Sequence, residues 1–280
     1  MSELEALILG VVQGLTEFLP ISSSGHLILV PWLLDFHYLQ DHEQFNKTFD
    51  VALHAGTLAA VLVYFRAEIA ELVRSVLKSV RRRRITEPGE RLAWLIALAT
   101  VPAASIGAIW ADQIEEDLGE PWQIAILLVV FGILLWVADR LPQRRDMDEL
   151  DWRGAVAIGF AQAIALAPGT SRSGITITAA RLLGLTRDAA ARFSFLLLAP
   201  VTFGAVVFKG IELARDGLPP GSAGPVAVGV VAAAVSGFAA IWALLRYVRT
   251  HGYDLFVVYR LIAAVVILLL IATGVQAATF

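Results

Sequence analysis

Long apolar runs separated by short polar or charged clusters dominate the sequence. The clearest runs cover residues 92–110, 122–138, 226–245 and 255–274. An α-helix of about 20 mostly apolar residues crosses the hydrocarbon core of a bilayer, so each run predicts a spanning helix. The whole pattern predicts an all-α polytopic membrane protein with about six full spans.

Two other apolar regions are interrupted by polar turns. Residues 4–15 and 25–34 are each too short to cross a bilayer alone, and they meet at the turn Pro-Ile-Ser-Ser-Ser-Gly, residues 20–25. Residues 155–167 and 175–183 flank a second turn, Pro-Gly-Thr-Ser-Arg-Ser-Gly, at residues 168–174. Each region therefore predicts a re-entrant helical hairpin, with the polar turn buried in protein or lining a cavity.

The two interrupted regions resemble each other. With a small gap, Gly10, Gln13, Pro20, Ser22 and Gly25 match Gly159, Gln162, Pro168, either Ser171 or Ser173, and Gly174. This similarity predicts a duplication, with a first repeat at 1–140 and a second at 151–280 inside one membrane domain, 1–280. Chance similarity between two glycine- and serine-rich turns is the alternative.

Composition and charge placement give the orientation. Hydrophobic residues make up 58% of the chain and charged residues 17%, against roughly a quarter charged in soluble domains, which excludes an ordinary soluble fold. Basic residues crowd into the predicted loop 66–91, whereas the predicted loop 112–120 is acidic and has no Lys or Arg. The positive-inside rule places the basic segment in the cytoplasm. The first hairpin then enters from outside and the second from the cytoplasm, as in an inverted-topology repeat with a site near the midplane.

A carboxylate lies within the first apolar region. Gln13 and Glu17 are four residues apart and share one helix face. An ionised carboxylate at membrane depth normally faces a cavity or a partner. A Glu close enough to the surface to be solvated is the alternative.

Hydroxyls and a histidine follow Glu17 at the first turn. Ser22, Ser23 and Ser24 precede His26, and a serine beside a histidine offers a nucleophile and a proton acceptor. For any single serine, satisfying the backbone of a broken helix is an equal alternative.

The second turn has the character of a phosphate site. Arg172 is a cation in an otherwise apolar hairpin, and the polar or small residues around it are Gly169, Thr170, Ser171, Ser173 and Thr176. Amide groups at a helix start favour anions, and guanidinium matches phosphate oxygens in a bidentate fork. A structural salt bridge between Arg172 and Glu17 is the competing account.

Asp50 and His54 share a helix face at the start of the apolar run 51–65. Either residue could line an entrance to the site. Capping of the helix by Asp50 is the simpler interpretation, and His54 is a weak candidate for the site.

Residues 17–26 and 168–176 closely resemble the two signatures of the undecaprenyl-diphosphate phosphatase (bacitracin-resistance) family, and residues 53–57, Leu-His-Ala-Gly-Thr, agree with it too. The resemblance covers essentially the whole chain. It implies an enzyme of the bacterial cytoplasmic membrane that removes the terminal phosphate of undecaprenyl diphosphate and recycles the lipid carrier for cell-wall synthesis. Some members have Glu where Gln13 stands, so two ionised carboxylates cannot be required.

The resemblance also implies a cofactor and partners. The cofactor is a divalent cation, Mg²⁺ or Ca²⁺, with Glu17 as its oxygen ligand and the diphosphate as a further source of ligands. The partners are a prenyl diphosphate lipid and membrane lipids, without nucleic acid, and a homodimer is compatible with this interpretation. The site is expected to open to the outer side.

The mechanistic hypothesis makes Ser23 the nucleophile and Arg172 the phosphate clamp. His26 or Glu17 takes the serine proton, Gln13, Ser22 and Ser24 contact substrate with the second turn, and direct attack by water stays open. A transporter or flippase is the main rival, since paired broken helices are a transporter architecture. A structural membrane subunit without chemistry is the second rival.

Overall fold

The computed structural model describes residues 1–36, 38 and 42–278, and the described part is α-helical without a β-strand. The helices are α1 (Glu3–Phe18), α2 (Ser23–Leu34), α3 (Glu43–Tyr64), α4 (Arg66–Arg82), α5 (Pro88–Leu118), α6 (Pro121–Arg140), α7 (Trp152–Ile164), α8 (Arg172–Leu182), α9 (Arg187–Asp216), α10 (Ala223–Tyr247) and α11 (Asp254–Ala272), with a short 3-10 helix at Met147–Glu149.

Five helices in the described part of the chain are long and apolar enough to cross a membrane: Pro88–Ala111, Pro121–Arg140, Arg187–Ile211, Ala223–Tyr247 and Asp254–Ala272. A sixth crossing is possible if Phe45–Tyr64 and Arg66–Arg82, bent by 85° at their junction, count as one. The prediction of an all-α polytopic membrane protein is confirmed. The inverted insertion of the two repeats stays a prediction.

Both polar turns separate two helices, as expected. The first lies between the end of α1 at Phe18 and the start of α2 at Ser23, and the second between the end of α7 at Ile164 and the start of α8 at Arg172.

Three local expectations were wrong. The basic segment 66–91 is mostly the helix α4, whose apolar residues recur at helical spacing. Residues 112–118 belong to α5 rather than to a loop, since no glycine or proline lies between Gly107 and Gly119. Asp50 does not cap a helix, because α3 begins at Glu43 and its buried residues Phe45 and Phe49 extend the apolar face upstream.

Glycine lets α1, which is too short to span, pack closely on α10. A Cβ added to Gly10 would lie 2.4 Å from the carbonyl oxygen of Gly229, and one added to Gly14 would lie 2.5 Å from that of Ala233. Two small residues four apart allow close helix contact in membranes. The spanning helix α10 therefore supports the first polar turn.

Asp139 joins four helices near one end of the bundle. Its Oδ1 accepts hydrogen bonds from Arg181 Nη2 at 2.7 Å and Arg187 Nε at 2.8 Å, and its Oδ2 accepts from the amide of Tyr253 at 3.1 Å. Since these residues come from α6, α8, the start of α9 and the loop before α11, the cluster fixes the end of α8 opposite Arg172.

Candidate active site

The helix after each polar turn begins in the same way. Ser22 and Ser171 are the N-caps of α2 and α8, with φ of 79° and 75°, a region that residues other than glycine rarely adopt. Ser22 Oγ accepts from the amide of Gly25, and Ser171 Oγ accepts from the amide of Gly174. Ser171, rather than Ser173, is therefore the equivalent of Ser22.

The two turns are in contact although about 150 residues separate them in the sequence. The amide of Gly169 donates to Ser22 Oγ at 3.1 Å, and Ser173 Oγ donates to the carbonyl of Leu19 at 3.2 Å. The second turn thus lies beside the first, as the hypothesis of one site formed by both turns requires. Two helix N-termini, each with amides that lack an intrahelical acceptor, thus meet at one place.

Arg260 of α11 ties the turns together. Its side chain is fully buried and donates to the carbonyls of Pro20, Gly169 and Thr170 at 3.2, 2.9 and 3.0 Å. Within the described residues no carboxylate lies at ion-pair distance from it. Sequence reasoning missed Arg260, although an ionisable residue inside the run 255–274 was itself a signal.

Glu17 is the centre of the site. Its Oε2 accepts from Gln13 Nε2 at 3.1 Å and from Ser23 Oγ at 2.5 Å, and His54 Nε2 lies 3.5 Å from the same oxygen. With 2% of the residue exposed, Glu17 is buried, which excludes the solvated alternative. His54, the weak candidate, therefore lies in the site.

Arg172 faces Glu17 without forming a close pair. Its Nη1 lies 3.8 Å from Glu17 Oε1 and donates to Thr202 Oγ1 at 2.9 Å. The other guanidinium N–H groups make no hydrogen bond within the part of the chain that the structure describes, and 26% of the side chain is exposed. Arg172 and Glu17 therefore form a long ion pair through one nitrogen, and the rest of the guanidinium is available to an anion.

His26 is bonded away from Ser23. Its Nδ1 lies 2.6 Å from the carbonyl oxygen of Ser22 and its Nε2 lies 2.7 Å from the Tyr259 hydroxyl. Because a carbonyl only accepts, Nδ1 donates. Of the two predicted proton acceptors, Glu17 is the one in contact with Ser23. Tyr259 is a further polar residue that sequence reasoning did not single out.

Several of the predicted substrate-binding hydroxyls are buried within the turns. Thr176 Oγ1 donates to the carbonyl of Arg172 at 2.8 Å and contacts Ser194 Oγ at 2.7 Å. The buried Thr170 hydroxyl has no partner among the described residues. Ser24 is half-buried, with its Oγ 3.5 Å from Ser22 Oγ. Ser23, Ser24 and Arg172 are therefore the more accessible polar side chains at the two helix starts.

The oxygen atoms beside Glu17 fit part of the coordination shell of a divalent cation. Glu17 Oε1 and Gln13 Oε1 are buried oxygens without a hydrogen-bond partner among the described residues, and carboxylate and amide oxygens are ligands that Mg²⁺ and Ca²⁺ accept. The described residues contain no cluster of three or more His, Asp or Glu able to hold a metal. The chain would supply only part of a coordination shell, and phosphate oxygens or water the rest.

Known proteins match almost the whole length of this chain. A family model for bacitracin resistance protein BacA matches residues 6–266. A protein of Geobacter sulfurreducens named undecaprenyl-diphosphatase is 49% identical over 265 residues, covering 94% of this chain and 96% of the relative. Relatives with the same name are 45% identical in Pelobacter propionicus, covering 99% of this chain and 100% of the relative, and 44% identical in Rubrobacter xylanophilus, covering 96% and 98%. By the family match and by these full-length relatives, the chain is a member of the bacitracin resistance protein BacA family.

Proposed function

We propose that this membrane protein hydrolyses undecaprenyl diphosphate to undecaprenyl phosphate and inorganic phosphate, and so recycles the lipid carrier for cell-wall synthesis. The observation that carries the proposal is the convergence on Glu17 of a hydroxyl and a cation, with Ser23 Oγ at 2.5 Å and Arg172 Nη1 at 3.8 Å from its two oxygens. The name shared by the full-length relatives supports the same reaction.

Ser23 is the nucleophile in this proposal. Its Oγ attacks the terminal phosphorus while its proton passes to Glu17 Oε2, which is already its hydrogen-bond acceptor. The anhydride bond breaks, and Glu17 returns the proton to the departing oxygen of undecaprenyl phosphate. Water then attacks the phosphoserine, its proton passes through Glu17 to the leaving Ser23 Oγ, and inorganic phosphate is released. Direct attack by water assisted by Glu17 is the alternative.

Arg172 and the two helix starts neutralise phosphate charge. The guanidinium fork fits two phosphate oxygens, and the amides at the starts of α2 and α8 add fixed positive ends. A divalent cation, bound through Glu17 Oε1 and Gln13 Oε1, would neutralise further charge on the diphosphate. His26 and Tyr259 hold the first turn in place beside these groups.

The site is proposed to open to the outer side of the bacterial cytoplasmic membrane. Lys47, Asp50 and His54 are partly exposed and lie three and four residues apart on α3, so they form one polar face. This face leads from the N-terminal end of α3, which the charge bias puts outside, to Glu17. A homodimer stays a prediction.

The decisive experiment is phosphate release from undecaprenyl diphosphate by the purified protein. We expect turnover by the wild type and its almost complete loss in Glu17→Gln, because an amide cannot accept the Ser23 proton. Gln13→Ala is the matched control on the same helix face, and its loss should be smaller. Binding of the lipid without release of phosphate would favour a flippase and contradict the proposal.

A further inference from the structure

An apolar groove of about 320 Å³ lies between α3, α4, α5 and α9. All the side chains that line it are apolar, from Leu58 and Leu62 on α3 to Pro200 and Phe203 on α9. It exists because the chain bends by 85° between α3 and α4, which carries α4 away from the bundle. Its volume lies at the lower end of the range for ligand pockets, about 300–1,000 Å³.

The groove lies next to the site along two helices. On α3, Leu58 of the groove follows His54 by one helical turn, and on α9, Ala199 of the groove precedes Thr202, the partner of Arg172, by three residues. Two of the groove's walls are therefore the helices that flank the diphosphate site. Along each of these helices the apolar groove begins about one helical turn from a polar residue of the site.

The other end of the groove lies at the charged end of the bundle. Leu72 and Val76 of α4 and Ala93 of α5 line it there. From His54 to the bend at Phe65 the helix α3 rises by about 16 Å. An occupant whose head is at Glu17 would thus have its apolar part directed toward the basic helix α4.

We propose that this groove binds the isoprene units of the lipid diphosphate that lie nearest its phosphates, an inference that rests on the proposed function of the adjoining site. A prenyl chain attached to a phosphate at Arg172 has to leave the site along an apolar surface, because a hydrocarbon forms no hydrogen bonds with polar groups. The groove is such a surface and begins one helical turn away. An ordinary membrane lipid is equally apolar, but excess undecaprenyl diphosphate would not displace it specifically from the groove.

Obstruction of the groove tests this assignment. Ala97 lines the groove and is exposed there, so Ala97→Phe fills the groove without entering the core. We expect KM for undecaprenyl diphosphate to rise about tenfold or more with kcat nearly unchanged, because the chain binds equally in the ground and transition states. Ala104→Phe, at an exposed position of the same helix outside the groove, should leave both constants unchanged.

Equal KM values for Ala97→Phe and Ala104→Phe would overturn the assignment. Turnover by the wild type in the same assay separates that result from a failure of the proposed function, which would abolish activity in every variant.

Cross-linking provides a measurement that does not depend on turnover. The photoreactive residue p-benzoylphenylalanine replaces Val73 in the groove or, as a control, Val235, which is exposed on α10 outside it. Labelled undecaprenyl diphosphate should cross-link at position 73, and excess unlabelled lipid diphosphate should suppress the reaction. Cross-linking that is equal at both positions and insensitive to competitor would assign the groove to bulk lipid and contradict the proposal.

Discussion

Ser23 and Arg172 occupy the same place in the two halves of the chain. Each is the first residue of its helix and follows a serine N-cap with positive φ. The equivalence places a hydroxyl on one side of Glu17 and a cation on the other. A site of this kind needs both halves, because neither turn alone brings a nucleophile, an acceptor and a phosphate clamp together.

Substitution of the serines separates the nucleophile from its neighbours. We expect Ser23→Ala to lower kcat by on the order of 10³-fold or more, as loss of a catalytic serine does elsewhere. Ser24→Ala, whose hydroxyl contacts Ser22 rather than Glu17, should lose less than about tenfold. Single-turnover assays should trap a phosphoserine in the wild type. If Ser23→Ala keeps nearly full turnover while His26→Ala and Arg172→Lys do not, attack by water replaces the covalent route.

Arg172→Lys tests the phosphate clamp. Lysine keeps the charge but lacks the planar fork, so activity should fall severely while the yield of folded protein and the unfolding temperature stay near those of the wild type. A purely structural role predicts the reverse, with activity retained wherever the protein folds. Thr202→Val, which removes the hydrogen bond to Nη1, should show a milder loss because the guanidinium itself remains.

The sequence was enough to identify several residues of the site, but not the residues to which they are hydrogen-bonded. Glu17, Ser23 and Arg172 were recognisable because polar groups in an apolar run have few structural uses. The bonding of His26 to Tyr259 was not, since a contact across about 230 residues depends on the packing of α11 against the first turn. Arg260 was overlooked because one charge did not interrupt its apolar run.

At the scale of the element, the polar turns depend on support from α11. Both turns have buried carbonyl groups outside the regular helix hydrogen bonding, and such groups need a donor from elsewhere. Arg260 donates to three of these carbonyls, and to that of Leu128 on α6 at 3.0 Å. A short hairpin is stable here because a neighbouring helix supplies the donors that its own backbone lacks.

Arg260→Met should therefore destabilise the whole bundle. Each unpaired buried carbonyl costs about 1–3 kcal/mol, so the unfolding temperature in detergent should drop markedly and activity with it. Arg260→Lys restores some donors and should recover part of both. Arg246→Met, at an exposed position, is the control and should change neither. An unfolding temperature unaffected by Arg260→Met would contradict the supporting role.

The sequence predicted the hairpins better than it predicted α4. The breaks at both turns contain proline and lie between apolar runs, which identifies them locally. The apolar residues of α4 also recur at helical spacing, with Ile69, Leu72, Val73 and Val76 on one face. The arginine run at residues 81–84 nevertheless favours a loop, because a dense run of like charge is typical of a solvated segment.

At the scale of the whole molecule, two halves share one site while each also packs against the other. The first hairpin packs through Gly10 and Gly14 on α10 of the second half, and Ser22 accepts from Gly169 across the halves. Contacts of this kind are what a single membrane domain built from two repeats requires, and that division of the chain stays a prediction. The direction in which each hairpin enters the membrane stays a prediction.

That direction is testable by labelling, because the chain has no native cysteine to give a background signal. Glu3 and Arg153 lie at the starts of the first helices of the two hairpins, and both are exposed. If the repeats are inverted, Glu3→Cys should react with a membrane-impermeant thiol reagent in intact cells, and Arg153→Cys should react only after permeabilisation. Asp117→Cys, at the acidic end of α5, should react like Glu3→Cys, and Arg84→Cys, in the arginine run, should react like Arg153→Cys, since the positive-inside rule sets both reference points. Equal labelling at Glu3→Cys and Arg153→Cys would mean that both hairpins enter from one side, and the inverted repeat would then be wrong even if the two turns still share a site.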